Sequence, residues 1–172
     1  STTLADVNGP ADISGDLTVD GSITASGGIY LGGTGSDHLL SDYEEGSYTP
    51  VVVGGASAVT YVLQNGHYTK VGALVQVSFS LSFSSFTGTS TSLRVSLPFV
   101  TSNHVDTYGQ QHCLCDNLTT ASGALGVQIQ PNESRCIFIT NSHSTGAHGG
   151  LAGSVVTVNS SVRATVVYQT SA

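Results

Sequence analysis

The chain has 172 residues, a length that fits one domain, or one small domain with an appendage. Hydrophobic residues make up 39% and charged residues only 9%, well below the roughly 25% usual in soluble proteins, so Ser, Thr, Gly and Asn must supply the polar surface. A formal charge of −7 with only four Lys and Arg argues against nucleic acid as a partner, because those side chains drive phosphate binding, and the lack of a long apolar run argues against a membrane-spanning helix.

The charge is unevenly placed. Residues 1–45 carry Asp6, Asp12, Asp16, Asp20, Asp37, Asp42, Glu44 and Glu45 and no basic residue. Residues 46–172 carry Asp106, Asp116 and Glu133 against Lys70, Arg94, Arg135 and Arg163. The expected division is therefore an acidic, glycine-rich segment with its junction over 1–45, followed by a nearly neutral head over 46–172. No charged region followed by an apolar stretch opens the chain, so no signal peptide is expected. Met is absent, and the sequence reads as a fragment or a processed product.

In residues 9–33, short apolar pairs around Ile13, Leu17, Val19, Ile23, Ile29 and Leu31 recur between the turn dipeptides Ser14-Gly15, Asp20-Gly21, Gly27-Gly28 and Gly32-Gly33. Strands of three to five residues in a single chain bury too little apolar surface to offset their ordering entropy. Copies of the segment wrapped round a common axis would close off each other's edges. The regular β-branched spacing favours such an oligomeric β-stalk over a flexible linker, which does not need it.

The remainder reads as β throughout. Val75, Val77, Phe79, Leu81 and Phe83 alternate with Gln76, Ser78, Ser80 and Ser82, the period of a strand with one buried face. Asn65-Gly66 predicts a tight hairpin joining 59–63 to 68–71. Further strands are expected over 93–97, 112–118, 125–130, 136–140, 155–158 and 162–168, with no helix longer than about two turns. The expected fold class is all-β: a short glycine-rich β-stalk followed by an antiparallel β-sandwich, jelly-roll-like head.

Chemistry-bearing residues are sparse. Cys113, Cys115 and Cys136 are an odd number and give no disulfide framework; thiols buried or half-buried in a protein that folds in a reducing cytosol are the expectation. His112-Cys113-Leu114-Cys115 offers three soft ligands but lacks zinc-knuckle spacing, so no metal and no cofactor is expected. Three scattered head carboxylates, and no nucleophile elbow, phosphate loop or zinc-protease motif, predict no catalytic residue and no enzyme.

Three stretches carry a family resemblance. Asp42-Tyr43-Glu44-Glu45-Gly46 followed by Ser47-Tyr48-Thr49-Pro50 resembles the DYEEGTWTP junction of bacteriophage tail-fibre and related virion fibre proteins, which follows a glycine-rich segment such as residues 21–33. Gly66-His67-Tyr68-Thr69-Lys70-Val71-Gly72 is similar to a G-x-Y-T-K-I-G element of the same proteins, and Leu97-Pro98-Phe99 to an LPF element. The resemblance covers roughly residues 20–100; it departs at Tyr48, where Trp is usual, and at His38-Leu39-Leu40 before the junction. It implies a homotrimeric fibre assembled in the host cytoplasm and carried on the virion. Other virion proteins would sit at the N-terminal side, and a distal head would contact a host surface receptor, with glycan expected from the neutral, hydroxyl-rich composition. A capsid-attached decoration fibre and a polysaccharide depolymerase are the competing readings.

The stalk–head junction is expected at Asp42, Tyr43, Glu44, Glu45 and Gly46. On an extended chain Glu44 and Glu45 point apart, and near a shared axis they must cap backbone donors, face solvent or hold a cation. Receptor contact is expected from the polar loops 84–92, 101–111 and 141–150, with Phe86, Tyr108, His143 and His148 as the candidate residues.

Overall fold

The computed structural model of the chain describes residues 9, 12–104, 109–119, 124–141 and 148–171. Twelve strands are present among them: β1 (Ile29–Tyr30), β2 (Leu39–Leu40), β3 (Tyr43–Tyr48), β4 (Val52–Gly54), β5 (Ala56–Val71), β6 (Leu74–Gly88), β7 (Arg94–Ser96), β8 (Gly109–Asp116), β9 (Ala124–Ile129), β10 (Arg135–Asn141), β11 (His148–Gly150) and β12 (Ser161–Gln169). Helical structure is limited there to short 3-10 turns such as Ser36–His38 and Gly153–Val155. β1 and β2 form a two-stranded ribbon. The others build one ten-stranded antiparallel sheet in the order β3-β5-β6-β12-β8-β9-β10-β7-β4, with β11 added on β10. The protein is thus all-β, and its centre is a large curled antiparallel sheet.

Strict alternation on β6 has the consequence that the sequence implies. Val75, Val77, Phe79, Leu81 and Phe83 are all buried, and Val162, Ala164, Val166 and Tyr168 of the neighbouring β12 extend the same inner face. Curling brings this wall over Val127 and Ile129 of β9, Cys136 and Phe138 of β10, and Val95 of β7. Phe79 meets Phe138 edge-on, with ring centroids 6.3 Å apart, although β6 and β10 are not neighbours in the sheet. Both walls therefore share one core, a sandwich-like arrangement.

Strand β8 turns the corner between the walls. Its residues Gly109 to His112 pair with β9, and Cys113 to Asp116 pair with β12. Where β8 leaves β12, the backbone of Val167 would lose its ladder partner. The Gln111 side chain replaces it: the amide donates to the Val167 carbonyl at 2.8 Å and accepts from the Val167 N–H at 2.7 Å. At the other end of the curl, β3 and β4 stand at opposite ends of the strand order yet are separated by only residues 49–51. Side chains fasten this closure, with the Val52 N–H donating to the Tyr61 hydroxyl at 2.8 Å and the Gln64 amide to the Pro50 carbonyl at 3.1 Å.

Two expectations about individual strands and turns are corrected. Asn65-Gly66 makes no turn, and β5 runs straight through it, with Gly66 paired to Tyr48 on one side and Phe79 on the other. The glycine answers a different demand: a Cβ on Gly66 would lie 2.4 Å from the Tyr48 ring. The chain reverses instead at Gly72, whose φ of 56° is the left-handed conformation that glycine tolerates. Residues 155–158 are not a strand, because the chain there follows the 3-10 turn Gly153–Val155 and tucks Val156 into the core. The division expected after residue 45 falls inside β3, which belongs to the large sheet.

Gly66→Ala is expected to lower stability by about 1–3 kcal/mol, because the new methyl must displace an aromatic ring packed against the core. Gly46→Ala meets the outer end of the Tyr68 ring at 3.0–3.2 Å and is expected to cost less. Urea denaturation of both variants measures the difference.

Candidate functional site

Two of the three segments that carry the family resemblance lie on adjacent antiparallel strands. β3 pairs with β5 from Tyr43 opposite Val71 to Tyr48 opposite Gly66. Each glycine faces an aromatic ring, Gly46 under Tyr68 and Gly66 under Tyr48, so the spacing G-x-Y on both strands is one interlocking pattern read in opposite directions.

Lys70 is the hub of this junction. Only 8% exposed, it forms an ion pair with Asp42, lies 3.8 Å from the Glu44 carboxylate, and sits 5.8 Å from the centre of the Phe99 ring. The Asp42 carbonyl accepts from the Gly72 N–H at 2.7 Å, which pins the same residue by its backbone. Glu44 and Glu45 do point apart. Glu44 turns to Lys70, while Glu45 lies on the outer face and accepts from the Tyr43 hydroxyl at 2.7 Å. That hydrogen bond, with the carboxylate charge behind it, holds the Tyr43 hydroxyl above its ordinary pKa. The sequence expectation missed Lys70 as the counter-charge, although it stood inside the quoted G-x-Y-T-K element.

The receptor-contact candidates do not gather in one described place. Phe86 lies on β6 opposite Val59, half-buried, with its ring centroid 4.9 Å from that of Phe83. Tyr108 and His143 lie outside the described residues. The backbone of His148 begins β11, opposite Asn141.

A second feature, which the sequence expectation did not single out, lies on the outer face of β5, β6, β12 and β8. A groove of about 960 Å³ runs there, and its lining includes Asn65, His67, Ser78, Ser80, His112, Arg163 and Thr165. The short side chains of Ser78, Ser80 and Thr165 form the low part of the depression, with His67 and His112 at its flanks. The His112-Cys113-Leu114-Cys115 stretch is divided by strand alternation, with His112 exposed at this groove and Cys113 and Cys115 packed toward the core. Among the described residues, no three His, Cys, Asp or Glu side chains converge in a way that would hold a metal ion.

The cysteines are all free, and they differ in chemistry. Cys113 and Cys115 have sulfurs 3.9 Å apart. A hydrogen bond from Cys115 lowers the Cys113 pKa, and the same interaction together with burial raises that of Cys115. Burial pushes the Cys136 thiol up to about 12. The described head carboxylates are each tied to a guanidinium, Glu133 to Arg135 at 2.9 Å and Asp116 to Arg163 at 3.4 Å.

The chain matches no protein-family model, no curated protein and no solved structure.

Because the thiolate is the reactive species, alkylation by iodoacetamide near pH 7.5 is expected to modify Cys113 before Cys115 and to leave Cys136 intact until the protein unfolds. Peptide mapping by mass spectrometry during a time course checks the order.

Proposed function

We propose that the chain is a virion structural fibre protein, a homotrimer whose N-terminal β-stalk is anchored to the particle and whose jelly-roll-like head binds the host cell surface. One observation carries the reading. Residues 12–31 hold a regular row of apolar side chains that a single chain leaves in water, with Ile13 53%, Leu17 64%, Ile23 62% and Leu31 58% exposed. Against an entropic cost of about 1–2 kcal/mol per ordered residue, such a segment becomes regular only when something covers the row, and two further copies of the same row are the simplest cover. The junction supports the same assignment. The clamp of Asp42 and Glu44 on Lys70, with the paired Tyr–Gly contacts, fixes the end of a stalk rigidly to a head.

Binding rather than catalysis is the role the head supports best, since both described head carboxylates are engaged by arginines. Anchoring through the N-terminal side leaves the head distal and its polar loops free for a receptor.

Light scattering is expected to give about 52 kDa, three times the 17.5 kDa chain, and Leu17→Asp with Ile23→Asp is expected to return it to one chain mass. A wild-type monomer would remove the basis of the trimeric reading. The purified protein is also expected to compete with virions for host adsorption. Alanine at Tyr108, His143 and His148 is expected to weaken that competition, with Phe86 kept because its ring packs on Phe83.

A further inference from the structure

We propose that the outer groove of β5, β6, β12 and β8 is a binding site for a carboxylate-bearing saccharide, with Arg163 as the carboxylate anchor. This goes beyond the fibre reading and places a ligand site on the sheet rather than in the loops expected to bind.

The register defines the site. One row across the sheet is His67, Ser78 and Thr165, because Ser78 pairs with both others, and His112 continues it from β8. Two residues along each strand, a second row is Asn65, Ser80, Arg163 and Leu114, again paired strand to strand. With strands about 4.8 Å apart, each row spans roughly 14 Å, long enough for a short oligosaccharide lying across the strands. The floor includes the hydroxyls of Ser78 and Thr165, hydrogen-bonded to each other at 2.9 Å, with exposed Leu114 beside Arg163, and the imidazoles of His67 and His112 stand at opposite flanks. Neither imidazole makes a hydrogen bond among the described residues.

The chemistry of the lining selects the ligand class. The serine, threonine, asparagine and histidine side chains here can hydrogen-bond sugar hydroxyls, so a polyhydroxylated chain matches the polar part of this surface. The charge selects among saccharides. Lys70 is buried beneath Asp42, and Arg135 is paired with Glu133 at 2.9 Å. Arg163 is half-exposed at the groove, with one contact from Nη1 to Asp116 at 3.4 Å, and the same Asp116 oxygen already accepts from Ser161 at 2.9 Å. Its remaining donors suit the bidentate geometry of a carboxylate. Arg163 is the one Lys or Arg in the groove lining, which matches one carboxylate set among hydroxyls and disfavours the dense charge of a phosphodiester polymer.

The test uses the full chain, titrated by isothermal calorimetry and NMR. The panel comprises oligogalacturonate, oligoguluronate, a hyaluronan tetrasaccharide and sialyllactose, against methyl-esterified oligogalacturonate and neutral maltotetraose. The expected result is that at least one carboxylated member binds at least tenfold tighter than the esterified or neutral controls. Binding should weaken with added salt, and Arg163→Gln should cost about tenfold or more. His67→Ala with His112→Ala is expected to weaken binding while the denaturation midpoint stays unchanged, since both rings are exposed. Equal binding of acidic and neutral oligomers, no response to Arg163→Gln, or no binding by any carboxylated member would each overturn the proposal. The last result together with a mass of about 52 kDa would assign this face to contacts between copies, and the fibre reading would stand without it.

Discussion

Everything in the head rests on burying one face of β6. Its five alternating apolar side chains are the inner wall on which the rest of the sheet closes, and no other strand contributes as many buried residues in unbroken alternation. Burial of a large aliphatic or aromatic side chain is worth about 1.5–3 kcal/mol, so this one face supplies a substantial part of the gain that must offset chain ordering. Opposing it needs a second wall, which requires the sheet to curl; β8 makes that feasible by belonging to both walls in turn. Polar groups follow the same constraint. Gln111 is needed because β8 departs from β12, and Tyr61 and Gln64 reach to β4 and Pro50 because the curl returns the end of the sheet to its beginning.

How much of this was legible in the sequence depended on whether one local pattern or two distant ones set the outcome. β6, β9 and β12 were readable because period-two alternation is a property of a single segment, and β10 because Cys136 to Ile139 form a continuous apolar run, all four buried. Asn65-Gly66 misled because its dipeptide chemistry is local, whereas the requirement it meets is a ring contributed by Tyr48, eighteen positions earlier. The end of β5 at Gly72 carried only a lone glycine, a weaker turn signal. Residues 155–158 looked like a strand because all four are β-branched, and tertiary packing of Val156 prevailed.

The sites were harder to read than the fold. That Lys70 neutralises Asp42 and Glu44 follows only once β3 is known to pair with β5, since the partners are nearly thirty residues apart. The outer groove draws on four strands from three separated stretches of sequence, and its residues are unremarkable serines, threonines and histidines taken one at a time. Register makes them a site. Histidine abundance gave no signal, but the pairing of Ser80 with Arg163 places the half-exposed guanidinium beside hydroxyls.

The closure between β3 and β4 has a consequence for contacts between copies of the chain. An open antiparallel sheet ends in two strands whose outer N–H and C=O groups can recruit a neighbouring molecule. Here one terminal strand is only three residues long, the other carries Glu44 and Glu45, and a three-residue link draws one end of each toward the other. Little continuous backbone is left for another head to extend. The outward Glu45 carboxylate adds a charge that disfavours joining edge to edge into fibrils. Under the proposed trimeric reading, the exposed apolar side chains of residues 12–31 offer copies a different place to meet, away from the edges of the sheet.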